Sequence, residues 1–238
     1  AVKLKLSLLV ESPYVVSYLQ DHLESSVDLY IKIDAGSHRT GVNWDDHKTI
    51  SDILDSMQRS GLTSFRGFLT HAGHSYKARS ISEIEAVHKE TTSRMVSLKK
   101  RFNKDFPDLI ISVGDTPTCS KMDDFSMADE IRPGNYVFYD ITQTIIGSCS
   151  AGEVAVAMAC PVVAVHQERN EIVIYGGSVH FAKDSVVDNH GNTIYGIAVK
   201  DSGSGWGEII EGSYLKNISQ EHGVLSLPPD IMDEYKPG

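Results

Sequence analysis

Strand-like and helix-like segments alternate along the first two-thirds of this chain, and that alternation limits the fold more than any other feature. "KLSLLVE" reads as a buried strand, and "PYVVSYLQDHLES" has helical spacing with Pro13 at its first turn. "VDLYIKID" predicts a second strand, and "DHKTISDILDSMQRSG" a helix stopped by Gly61. "FRGFLTHAG" is the third strand. A helix is predicted from Ser80 to Phe102, with Ile81, Ile84 and Val87 on one face. "DLIISVGD" predicts a fourth strand and "NYVFYD" a fifth. Parallel neighbours need crossovers, so β-α-β-α order implies a parallel sheet covered by helices.

Near residue 151 the pattern changes. "EVAVAMACPVVAVHQERNEIVIYGG" reads as two strands around "QERNE", and "TIYGIAVK" and "GWGEIIEGSYLKN" as short β segments. The expected division is an α/β part over residues 1–150 and a β domain over 151–238. An α/β barrel needs eight strand–helix units and about 250 residues. Five strands at most are visible, which predicts an open sheet or a piece of a longer polypeptide.

Composition narrows the function. With 22 basic and 32 acidic residues the net charge is −10, which argues against a nucleic-acid binder. No apolar run approaches the roughly 20 residues of a membrane span. No signal peptide is evident, and Cys119, Cys149 and Cys160 show no metal-type pairing. A reduced, cytoplasmic setting is expected.

Functional groups of parallel α/β proteins gather at the carboxyl ends of strands. Here strand two ends in Asp34, His38 and Arg39, and strand three in His71, His74 and Tyr76. Strand four ends in "GDTPT", with Gly114, Thr116 and Thr118; "IRPGNY" introduces strand five with Arg132, Gly134, Asn135 and Tyr136. Each has a plainer reading. Asp34 and Arg39 could close a loop as an ion pair, His71 could be a satisfied core histidine, and Thr116 and Thr118 could cap a helix. Glycine and hydroxyls at a strand-to-helix junction also suit a phosphate.

Together these segments resemble the fold-type III pyridoxal-phosphate (PLP) enzymes, the group that includes alanine racemase. "KIDAGSHRTGV", "FLTHAGHSY" and "EIRPGNYVFYD" carry the likeness. "HAGHSY", "SVGDTPT", "RPGNYVFYD" and "SQEHGVL" look most like the D-threonine aldolase and D-serine dehydratase branch. The resemblance implies part of a PLP-binding (β/α)8 barrel followed by an all-β C-terminal domain, incomplete at both ends. It implies Arg39 near the cofactor's phenolic oxygen and His71 facing its ring. Gly114, Thr116 and Thr118 would cradle the phosphate with the N–H groups near Gly134 and Asn135. Arg132 matches the position that in alanine racemase faces the pyridine nitrogen. Tyr76 and Tyr136 are further contacts, and His222 a catalytic candidate from the β domain.

Two departures accompany the matches. The His-x-Lys-Thr-His-like segment that carries the family's Schiff-base lysine is not found here; Lys32, Lys77 and Lys183 lie near matching motifs but outside that context. The branch's His-x-Cys or His-x-Asp metal pair is also missing, and is expected beyond Gly238. A fragment of a longer chain, or a variant that lost catalysis, would account for both. The resemblance implies a homodimeric lyase for a D-β-hydroxy amino acid, of dehydratase or aldolase type, assisted by zinc or manganese. A racemase, a non-catalytic PLP-binding protein, and a metal-dependent hydrolase using His71, His74 and His222 remain alternatives.

Overall fold

In a computed structural model, residues 6–188, 190–203 and 205–238 are described. They form two compact units: residues 1–138 with 143–150, and residues 139–142 with 151–238.

The first unit is built on a parallel sheet of β1 (Leu8–Val10), β2 (Val27–Asp34), β3 (Val42–Asn43), β4 (Thr63–Thr70), β5 (Ile110–Val113) and β6 (Glu130–Ile131). The main order is β1-β2-β4-β5-β6, with β3 beside the end of β2. This sequential, all-parallel order is that of a barrel arc rather than a doubly wound sheet. The connecting helices α1 (Pro13–His22), α2 (His47–Gln58) and α3 (Ile81–Phe102) bury one face. Alternate residues Leu29, Ile31 and Ile33 of β2 and Phe68 of β4 pack on Ile50, Ile53, Met95 and Leu98. Burying each such side chain fully contributes about 1.5–3 kcal/mol. The start signals are local. Ser12, Asp46 and Ser80 accept the N–H groups of Val15, Thr49 and Glu83, so each caps its helix.

Two expectations change and one element is new. "NYVFYD" is not a strand; the fifth main strand is Glu130–Ile131, before Arg132. Pro133 offers no N–H to a ladder, and Val137 and Phe138 stand 74% and 57% exposed instead of alternating into a core. The α3 face is also different: Ile84, Thr91, Met95, Leu98 and Phe102 are buried, while Ile81 is 47% exposed. Its spacing from Ile84 onward follows the helical period, which the polar Thr91 conceals. The two-residue β3 was not foreseen.

The second unit holds a four-stranded antiparallel sheet, ordered β13-β14-β8-β7. Its strands are β7 (Val162–His166), β8 (Glu171–Ile174), β13 (Tyr214–Ile218) and β14 (Gly223–Ser226). Ribbons of β9 (Val186–Val187) with β10 (Thr193–Ile194), and β11 (Val199–Asp201) with β12 (Trp206–Ile209), accompany it. "QERNE" is the turn it promised, a 3-10 turn ended by Asn170 in the left-handed region at φ 54°. Ile172, Leu215, Leu225 and Met232 form its core.

Candidate functional site

Register places the candidate residues on one edge. Ile33 pairs with Thr70, Leu69 with Ser112, and Val113 with Ile131. Asp34, His71, Gly114 and Arg132 therefore sit together at the carboxyl ends of β2, β4, β5 and β6.

The loop after β2 is wound by Asp34, whose Oδ1 accepts from the N–H groups of Gly36 (2.9 Å) and His38 (3.0 Å). Burial pushes this carboxyl up, but those donors and the nearby His38 pull it below the usual range. The ion-pair expectation is corrected here: Asp34 meets the His38 ring at 3.2 Å. Arg39 makes no hydrogen bond or ion pair among the described residues.

A cleft of about 450 Å³ opens beside this loop, lined by Ser37, Arg39, His71, Gly73, His74 and Tyr76, with Lys77. His71 Nδ1 lies 2.7 Å from the Gly114 carbonyl oxygen. Burial lowers its pKa, and Arg39 and Arg132 lower it further, against the Gly114 bond and Asp115. The ring is held neutral with Nε2 carrying the lone pair. Burial lowers His74 too, and neither of its ring nitrogens has a hydrogen-bond partner.

From Tyr76 the polar contacts continue. Its hydroxyl lies 3.4 Å from Thr116 N, and Thr116 Oγ1 accepts the Asn135 N–H at 2.9 Å. Arg132 donates Nε to Ser112 Oγ and Nη2 to the Thr70 and Ser112 carbonyls. Its Nη1 makes no hydrogen bond among the described residues.

Two predicted phosphate contacts have other tasks. Asp115, 3% exposed, is the N-cap of α4 (Thr116–Lys121) and accepts from Thr118 N, Thr118 Oγ1 and Ser75 Oγ. Thr118 thus faces a carboxylate, which repels phosphate. Gly114 is required by close approach: an added Cβ would sit 2.5 Å from the Arg132 carbonyl oxygen. Gly134 has open space where its Cβ would be, and Tyr136 is exposed. His222 lies in the second unit, in the turn before β14, its ring 5.8 Å from that of Tyr175. Asp115, Ser75 and Ser112 escaped sequence reading; only the cap pattern of Asp115 before "TPT" was available to find it.

The donor set suits a flat anionic cofactor: a neutral imidazole, two guanidinium groups and a threonine hydroxyl at one strand edge. It does not suit a metal. Among the described residues no group of three His, Cys, Asp or Glu side chains could hold one.

Parallel strands whose carboxyl ends gather around one cleft define an alanine-racemase-like α/β domain, here followed by a β-rich part. The chain belongs to the family described as "Alanine racemase, N-terminal domain", whose model matches residues 1–141. A second model, "Putative serine dehydratase domain", matches residues 155–238. The D-serine dehydratase of Dictyostelium discoideum is 28% identical over 185 residues, covering 69% of this chain and 47% of its own. The D-threo-3-hydroxyaspartate dehydratase of Delftia sp. is 27% identical over 207 residues, covering 84% and 52%. Its solved structure matches with a TM-score of 0.84 at 25% identity, over 98% of this chain and 63% of that one. D-threonine aldolase from Filomicrobium marinum, at 16% identity and a TM-score of 0.67, covering 96% and 58%, shares the fold. The chain spans about half the length of the curated relatives it matches. Among the described residues no helix is long and apolar enough to cross a membrane.

Proposed function

We propose that this chain is the cofactor-binding part of a PLP-dependent lyase acting on a D-β-hydroxy amino acid, working as a cytoplasmic homodimer. The observation that carries the reading is the meeting of His71, Arg39, Thr116, Asn135 and Arg132 at one sheet edge, within the matched family region. When bound, PLP supplies an electron sink that lets a proton leave Cα and a β-hydroxyl depart.

The chain's own residues hold and orient. His71, neutral and tethered to Gly114, offers a flat face and an Nε2 acceptor. Arg39 offers a guanidinium to the phenolic oxygen or a substrate carboxylate. Thr116 Oγ accepts the Asn135 N–H and keeps its own hydrogen to donate to a phosphate oxygen. Arg132 Nη1 is the donor for the pyridine nitrogen's side of the ring, braced by Thr70 and Ser112. Tyr76 and Tyr136 complete the contact set, and His222 is the acid–base candidate of the second unit. Of the lysines noted in the sequence, Lys77 lines the cleft. The proposal includes a divalent metal, zinc or manganese; no group of three ligands for it occurs among the described residues, so no step here runs through it.

Dehydration is favoured over racemisation by the serine dehydratase match to the second unit. Metal-dependent hydrolysis through His71, His74 and His222 finds no group of three ligands among the described residues. The test uses protein expressed from its whole reading frame. Borohydride reduction with peptide mapping should find pyridoxyl on a lysine, and D-serine or D-threo-3-hydroxyaspartate should yield a 2-oxo acid and ammonia. Absence of both pyridoxyl and product would end this reading.

A further inference from the structure

Helix α3 reaches the cleft through two side chains one turn apart. Arg94 donates Nη1 to the Ala35 carbonyl at 2.9 Å, and its Nη2 pairs with Glu90 at 2.5 Å. Its guanidinium lies 5.4 Å from the centre of the Trp44 ring. Ala35 begins the loop that leaves β2, and Trp44 follows β3 at the other end. Arg39 lies between them.

The guanidinium packs directly on the turn. Gly36 has φ +119°, and a Cβ there would stand 2.8 Å from Arg94 Nη1. Glu90 extends the same device to the second cleft loop, with Oε2 4.0 Å from His74 Nε2. One ion pair on a helix thus touches the loops from β2 and β4.

We infer that Arg94 is a positioning residue of the cleft: by clamping the Ala35–Trp44 loop to α3 it sets where Arg39 meets an anionic ligand. This rests on the reading of the cleft given above. A fixed guanidinium costs less order on binding than a wandering one. Lysine cannot replace Arg94 fully, because a point charge cannot serve Ala35, Glu90 and the Trp44 face together.

The experiment compares wild type, Arg94→Met, Arg94→Lys, Arg39→Met and the Arg39→Met/Arg94→Met double variant of the full-length protein. Amide exchange over residues 35–41 should rise about tenfold in Arg94→Met, with buried β2 amides unchanged and Arg94→Lys intermediate. The dissociation constant for PLP should rise about tenfold in Arg94→Met, yet change less than about twofold when Arg39 is already Met. Wild-type exchange at 35–41 in Arg94→Met, or effects that multiply in the double variant, would overturn the inference. If wild type takes up no PLP, the lyase reading falls, while the exchange rates still decide the role of Arg94.

Discussion

The Nδ1 of His71 and the carbonyl oxygen of Gly114 are 2.7 Å apart, across 43 positions of sequence. A carbonyl only accepts, so Nδ1 donates and the tautomer of the ring is set by the end of β5. The bond also ties two neighbouring strand ends, so ring orientation and sheet edge are one structure.

His71→Phe keeps a flat ring but leaves the Gly114 carbonyl without its donor. PLP affinity, followed by absorbance titration, should fall about tenfold. Wild-type affinity in both His71→Phe and His71→Ala would remove this ring from the site.

Arg132→Lys tests the guanidinium fork. A lysine cannot bond the Thr70 and Ser112 carbonyls and the Ser112 hydroxyl while keeping a donor for ligand. PLP binding should weaken at least about tenfold, and inorganic phosphate should not restore it. Unchanged binding would place Arg132 outside the cofactor contacts.

Asp115→Ala removes three hydrogen bonds, one of them the cap of α4. The expected loss is about 2–4 kcal/mol in urea unfolding, from the cap together with the orphaned Ser75 and Thr118 groups. A loss under about 0.5 kcal/mol would show that this buried carboxylate serves something other than stability.

Gly67→Ala should not fold. A Cβ there would sit 1.9 Å from the Ile110 carbonyl oxygen, and backbone in a paired strand cannot yield to it. Soluble variant with wild-type circular dichroism would contradict the β4–β5 register.

Stability should fall with acid. His71 and His74 both have pKa values lowered in the folded state, chiefly by burial. As pH falls through about 6.5, the unfolded chain binds protons that the folded one refuses, so the urea midpoint drops. His74→Leu should flatten part of that slope, and an unchanged slope would show that His74 accommodates its proton.

Much of this was legible because it is local. Helix starts depend on residues within a few positions, so Pro13 at the first turn of α1 and Ser80 at the head of α3 could be read directly. The buried strand "VDLYIKID" shows its run of apolar side chains in any context. "NYVFYD" misled for the complementary reason: an apolar run forms a strand only where a neighbour pairs with it. The long polar appearance of α3 hid its buried face, since Thr91 is covered only once the chain has folded around it.

By itself the sequence determined the alternation of elements, the caps, and which residue types crowd the strand ends. Tertiary structure alone decided which of them meet. Asp115 takes Ser75 across 40 positions, Arg132 reaches the Thr70 carbonyl across 62, and Arg94 crosses 59 positions to Ala35. The physical reason is range. Propensity and capping act between near neighbours along the chain, whereas hydrogen bonds between strand ends depend on register and crossover, which are settled when the cores pack.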